Sequence, residues 1–206
     1  MKRKGLLIAI EGIDGTGKST QLQFLEKFLC SLGCKVVVTR EPTDSRYGKR
    51  IRQLYVDRHR CTPEEELELF LADRRLHVDT VIAPRLDDGC IVLTDRYYYS
   101  TAAYQGAAGM DIDVIFARNS FAPVPDRVLL LTMEPEISMQ RIQQGRGDEL
   151  NDFEQLDQLT KVAQLFAGFT DSCICRIDAA QPFDRVRQDI EDNVAGLLKE
   201  KRFICP

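Results

Sequence analysis

The stretch "IAIEGIDGTGKSTQLQFLEKFL", residues 8–29, sets Gly12, Gly15 and Gly17 between an apolar run and a segment of helical spacing. Within it, "GIDGTGKS" from Gly12 to Ser19 fits the pattern G-x-x-x-x-G-K-[ST]. It follows a strand-like run and precedes a helix-like one, which is the context this pattern requires. Glycines let backbone N–H groups converge on phosphate oxygens with no Cβ in the way, and a helix N-terminus adds partial positive charge. The stretch therefore reads as a cradle for a triphosphate tail. Its expected phosphate-binding residues are Gly12, Gly15, Thr16, Gly17, Lys18, Ser19 and Thr20. Lys18 suits the β- and γ-phosphates of ATP as a point charge, and Ser19 suits a Mg²⁺ ion bound with ATP.

Outward from this stretch, short apolar runs alternate with longer segments of helical period. "LLIAI" (6–10), "KVVVT" (35–39), "CIVLT" (90–94), "RVLLLT" (127–132) and "CICRI" (173–177) read as buried strands, because they lack polar alternation. Five such runs separated by helices predict an α/β fold of three layers, a five-stranded parallel sheet with helices on both faces. Leu22, Leu25, Phe28 and Leu29 form one apolar stripe after the glycines, and Gly33 stops it. Thr62, Pro63 and Glu65 mark a capped start for a long helix over about 63–83, which Pro84 ends or bends. Further helices are expected over about 134–144, 152–167 and 183–199.

Composition bounds the function. At 206 residues with 44% apolar and 29% charged residues, the chain suits one folded domain spanning 1–206. A net charge of -4 gives no basic field for nucleic acid. The apolar run in "MKRKGLLIAIEG" stops at Glu11, too short for a signal core or a membrane span. A cytoplasmic protein with no membrane or nucleic-acid partner is expected. Seven scattered cysteines, none in a CxxC pair, read as reduced packing thiols.

On four stretches the sequence resembles the thymidylate kinases, nucleoside monophosphate kinases of the P-loop NTPase fold. They are "EGIDGTGKST" (11–20), "TREP" (39–42), "LFLADRRLH" (69–77) and "DRYYYSTAAYQG" (95–106), with weaker similarity from "PDRVLLL" onward. The resemblance implies transfer of a phosphoryl group from ATP to dTMP, and a homodimer built on packed helices. It also implies residue roles. Asp14 holds the 3′-hydroxyl of deoxyribose, Arg40 the dTMP phosphate, Phe70 the thymine face and Arg74 the base edge. Thr101 and Gln105, four apart on one helix, read the N3–O4 edge, while Tyr104 crowds the 2′ position. Asp95 acts on Mg²⁺ beside Ser19, and Arg96 bridges donor and acceptor phosphates. Arg75, turned about 100° from Arg74 on a helix of ~3.6 residues per turn, is the rival for the base edge.

The variable positions of the glycine loop, Ile13, Asp14, Gly15 and Thr16, carry no basic residue. The charge that phosphoryl transfer needs is therefore expected from a glycine-flanked lid over about 141–154, with Arg146 catalytic and Arg141 as anchor. The chain departs from the family at Asn151–Glu154, where a lid arginine is replaced by Asp152, and at Leu131, Thr132 and Met133. Other readings are a kinase of the same fold for dUMP or another deoxynucleoside monophosphate, and a catalytically weak nucleotide-binding homologue. A GTP-driven switch is disfavoured, because Lys161 is followed by Val162 and Ala163, not by a guanine-reading motif.

Overall fold

The computed structural model describes residues 4–55, 61–146 and 156–205. In chain order the elements are β1 (Leu6–Glu11), α1 (Lys18–Ser31), β2 (Val36–Arg40), α2 (Arg46–Leu54), α3 (Pro63–His77), a π-helical turn (Val78–Ile82), α4 (Ala83–Asp87), β3 (Ile91–Asp95), α5 (Tyr98–Ala107), α6 (Ile112–Arg118), β4 (Arg127–Thr132), α7 (Pro135–Arg146), α8 (Leu156–Gly168), β5 (Ile174–Asp178) and α9 (Phe183–Glu200). The five strands form one sheet in the order β2-β3-β1-β4-β5, and every pairing is parallel. The expected fold class is borne out.

Alternation along β1 explains the layers. Leu6, Ile8 and Ile10 pack with Leu22, Leu25 and Leu29 of α1 and Val186, Ile190 and Val194 of α9. Leu7 and Ala9 face the opposite cluster, with Leu67 and Leu71 of α3, Ala102 of α5 and Val162 and Phe166 of α8. Fully buried side chains such as Leu25 and Leu29 each stabilise the fold by about 1.5–3 kcal/mol. The outer strands differ from expectation. β2 and β5 are edges and only partly buried, since each pairs on one side alone.

Register places the chemistry. Ile10 lies beside Asp95, and Arg40 lies beside Asp95 on the other flank. The carboxyl ends of β2, β3 and β1 therefore open side by side, where ligands bind in open α/β sheets.

The capping box at the start of α3 is present, with Thr62 Oγ1 accepting from the Glu65 amide and Glu65 Oε2 accepting from the Thr62 amide. Pro84 does not end this helix. The chain passes through the π-helical turn and continues to Asp87, because Pro84 sits in the first turn of α4, where no N–H is needed. Helices α2 and α6 have no counterpart in the sequence reading. In α2 the pattern is interrupted by Gly48, where a Cβ would lie 1.9 Å from the Thr43 carbonyl oxygen. That glycine serves close approach to the loop after β2, at a cost in helix propensity.

One cysteine expectation is corrected. Cys34, after α1, and Cys205, in the C-terminal tail, form a disulfide, since the tail folds back from α9 onto the apolar cluster that holds Cys34. The other described cysteines are free. Among the described residues no helix is long and apolar enough to cross a membrane.

Candidate active site

The loop between β1 and α1 is shaped by its neighbours. Gly12 has φ +135°, and a Cβ there would lie 2.3 Å from the Leu131 carbonyl oxygen, so β4 closes the loop from below. Thr16 turns inward and donates to the Ile13 carbonyl at 2.9 Å. Lys18 opens α1, is buried, and donates to the same carbonyl at 2.7 Å. Burial and the Arg96 charge pull its pKa down to about 8, against the opposing pull of Asp14, Asp95 and Glu11.

A cavity of about 520 Å³ opens over this loop. Its lining includes Asp14, Gly15, Gly17, Lys18, Ser19 and Thr20 of this loop and, from farther along the chain, Arg40, Phe70, Arg74, Asp95, Arg96, Thr101, Tyr104 and Gln105. Gly12 and Thr16, also expected at the phosphates, are not among its lining residues. Residues from six separate sequence regions thus meet in one hollow.

Asp14 sits at the centre of a charged cluster. Its Oδ1 accepts from Arg96 Nη2 at 2.7 Å and its Oδ2 from the Tyr104 hydroxyl at 3.1 Å. Burial pushes the Asp14 carboxyl up, but the Arg96 and Lys18 charges and these hydrogen bonds outweigh it and hold the group well below the usual carboxylate range. Burial works against the Arg96 charge, but Asp14 first, then Tyr104, Asp95 and Glu11, hold Arg96 firmly protonated. The Ser19 hydroxyl donates to Asp95 Oδ2. Two hard oxygen donors thus adjoin the glycine loop, a donor set that fits Mg²⁺ sharing its shell with phosphates and water.

The residues expected at the base divide into two kinds. Gln105 is fully buried, lines the cavity, and has no hydrogen-bond partner for Nε2 or Oε1 among the described residues. Arg74 is fully buried but committed. Its Nε and Nη2 donate to Glu41 Oε2 at 2.9 and 2.6 Å, Nη1 donates to Asn119 Oδ1 at 2.6 Å, and Nη2 donates to Thr101 Oγ1 at 3.0 Å. That last bond occupies the Thr101 oxygen and leaves the Thr101 proton for another acceptor. Phe70 is half-buried and lines the cavity. Arg75 points elsewhere, over the Phe121 ring at 3.9 Å.

On the rim, Arg40 is 64% exposed and its Nη2 donates to both oxygens of Asp44, at 3.0 and 3.2 Å. Arg52, which the sequence reading missed, donates to Asp44 Oδ1 at 2.9 Å and lines the cavity too. Its signal lay in the helical pattern of α2, which was not recognised. Asp73 accepts from the Thr43 amide and from the Thr43 and Ser45 hydroxyls at 2.8, 2.6 and 2.6 Å, fixing the loop that carries this cluster. Arg141 Nη1 donates to the Ala179 carbonyl at 3.2 Å and reaches the cavity. The expected lid begins as the last turn of α7. The Arg146 side chain and residues 147–155 lie outside the described residues.

Comparison with known proteins agrees with this geometry. The family model described as thymidylate kinase matches residues 10–190. The chain is 52% identical to a thymidylate kinase of Desulfotalea psychrophila, covering 95% of this chain and 96% of that protein. It is 41% identical to a probable thymidylate kinase of Archaeoglobus fulgidus over 96% of this chain and 98% of that one. A thymidylate kinase of Xanthomonas euvesicatoria pv. vesicatoria is 42% identical over 98% of this chain and 88% of its own length. The chain belongs to the thymidylate kinase family.

Proposed function

We infer that the protein transfers the γ-phosphoryl group of ATP to dTMP, giving dTDP and ADP. The observation that carries this reading beyond family membership is the buried amide of Gln105, unpartnered among the described residues, in a cavity continuous with the glycine loop. A primary amide offers one donor and one acceptor side by side. The N3–O4 edge of thymine offers the complement, and leaving such an amide unpaired in a dry site costs about 1–3 kcal/mol.

The remaining residues take roles that their positions support. Phe70 stacks on the pyrimidine, and the Thr101 proton, freed by Arg74, goes to O4. Arg74 orients Thr101 with most of its donors already placed within the protein. Asp14 accepts the 3′-hydroxyl of deoxyribose, and Tyr104, held against Asp14, leaves little room at the 2′ position. Arg96, with Arg40 and Arg52, holds the 5′-phosphate once Asp44 gives way to it, since a phosphate suits paired guanidinium groups better than one exposed carboxylate. Lys18 leaves the Ile13 carbonyl for the β- and γ-phosphates. Ser19 and Asp95 hold Mg²⁺, which supplies charge neutralisation to the transferring phosphoryl group when bound with ATP. Arg146 enters from the lid and Arg141 anchors it.

The finer expectations belong to the same proposal. A homodimer built on α3 is supported by exposed Leu76, and Val114 of neighbouring α6 is exposed as well. A cytoplasmic location belongs to the same proposal. A dUMP kinase remains the second reading, because uracil presents the same edge to Gln105. The test is initial rates with ATP and each of dTMP, dUMP, dCMP, dAMP and dGMP. We expect dTMP to be preferred, with ADP and dTDP formed in equal amounts. ADP release that ignores the acceptor sinks the proposal.

A further inference from the structure

Glu11, the last residue of β1, is fully buried beside the site but does not line the cavity. A carboxylate in that position is costly unless its oxygens are occupied. Both are. Oε1 accepts from the Tyr97 amide at 2.8 Å and the Ser100 amide at 3.2 Å, and Oε2 accepts from the Ser100 hydroxyl. Those amides belong to the N-cap and first turn of α5, whose N-cap residue provides no side-chain cap. Glu11 therefore caps α5 from another strand, where a negative charge also suits the helix dipole.

The same contacts lead to Arg96. Ser100 Oγ accepts from Arg96 Nη1 at 2.9 Å while donating to Glu11, and Arg96 Nη1 also donates to the Gly12 carbonyl at 3.2 Å. The backbone of Arg96 is pinned as well. Its amide donates to the Ile10 carbonyl at 2.9 Å, and its carbonyl accepts from Thr94 Oγ1 at 2.8 Å. These bonds hold a residue with φ +68°, a conformation that an arginine adopts only when its surroundings impose it.

We propose that Glu11 is a positioning residue for the reaction: through Ser100 and the first turn of α5 it holds the Arg96 guanidinium in the pose that receives the acceptor phosphate. The inference rests on the phosphate-binding role of Arg96 proposed above. In its ionised form the carboxylate fixes the Ser100 hydroxyl as donor toward β1, which leaves its lone pairs for Arg96. An amide at position 11 reverses that polarity, because its N–H₂ donates to the Ser100 oxygen and competes with Arg96.

The test compares Glu11→Gln and Ser100→Ala, each alone and combined with Arg96→Ala, in steady-state kinetics with ATP and dTMP. Each single variant at positions 11 and 100 is expected to lower kcat/KM for dTMP by about 10- to 100-fold, the scale of a displaced catalytic contact, with KM for ATP changed less than about twofold. In the Arg96→Ala background the same substitutions should change kcat/KM by less than about twofold, because the group they position is gone. Wild-type turnover in both single variants overturns the proposal, as does an equal loss in both backgrounds. Should Glu11→Gln not fold, Ser100→Ala carries the same comparison. Failure of the underlying reading shows separately, as Arg96→Ala leaving kcat/KM for dTMP intact.

Discussion

The Arg96 guanidinium donates to the Asp14 carboxylate across 2.7 Å, joining the end of β3 to the loop after β1. Two ends of adjacent parallel strands are thereby locked with opposite charges facing each other in the cavity. A hydrogen bond from a substrate hydroxyl to an ionised, oriented carboxylate contributes about 1.5–3 kcal/mol. The 3′-deoxy analogue of dTMP should therefore react with kcat/KM about 10- to 100-fold below that of dTMP. Asp14→Asn should shrink that gap. Equal rates for the two acceptors with the unaltered protein would remove Asp14 from the sugar.

Gln105 leads to a prediction about the base. Gln105→Leu keeps the volume and removes both polar atoms, so kcat/KM for dTMP should fall by roughly 100-fold, the scale of a lost buried reading group. KM for ATP should hardly move. Discrimination between dTMP and dCMP should narrow in the same variant. A variant that keeps its preference for dTMP would show that the edge is read elsewhere.

Glu11 gives stability a pH dependence of known sign. Burial pushes its pKa up from 4.5 to about 7, against the Ser100 hydrogen bonds, the Arg96 charge and the Tyr97 amide. Because the folded value is the higher one, its contribution is complete below pH 4.5 and is lost as pH rises through about 7. The shift corresponds to about 3 kcal/mol. Glu11→Gln cannot titrate, so its stability relative to the unaltered protein should improve by about that amount between pH 4.5 and pH 8 in urea unfolding. A constant difference at both pH values would contradict the buried, raised carboxyl.

Much of this arrangement was legible in the sequence because it rests on local rules. The strand, glycine loop and helix from Leu6 to Ser31 follow from period and glycine placement. The capping box of α3 follows from Thr62, Pro63 and Glu65. What was not legible depends on partners distant in sequence. Arg74 is expected at the base edge, yet Glu41 and Asn119 claim most of its donors. Arg52 sits on α2, a short helix whose buried face is Gly48, Ile51 and Leu54, and Gly48, a poor helix former, is there for contact with Thr43. Glu11 looked like the end of an apolar run, and only the register of β1 against β3 brings it under α5. The Cys34 and Cys205 pairing likewise needs the tail to fold back.

The lid makes a kinetic prediction. With no basic residue among Ile13 to Thr16, Arg146→Ala should lower kcat by about 1,000-fold or more, the scale of an arginine that neutralises transferring charge. KM for ATP should change much less. Unchanged turnover would remove Arg146 from the chemistry.

Direct phosphoryl transfer needs one hollow holding both nucleotides with their phosphates in line. The most direct measurement is a crystal structure of the protein with ADP, Mg²⁺ and dTMP bound. It should show the β-phosphate within the amides of the Gly12–Ser19 loop, the thymine against Phe70 with its N3–O4 edge on Gln105, and the 5′-phosphate at Arg96. A pyrimidine lodged away from Phe70, or an acceptor phosphate remote from Arg96, would contradict it.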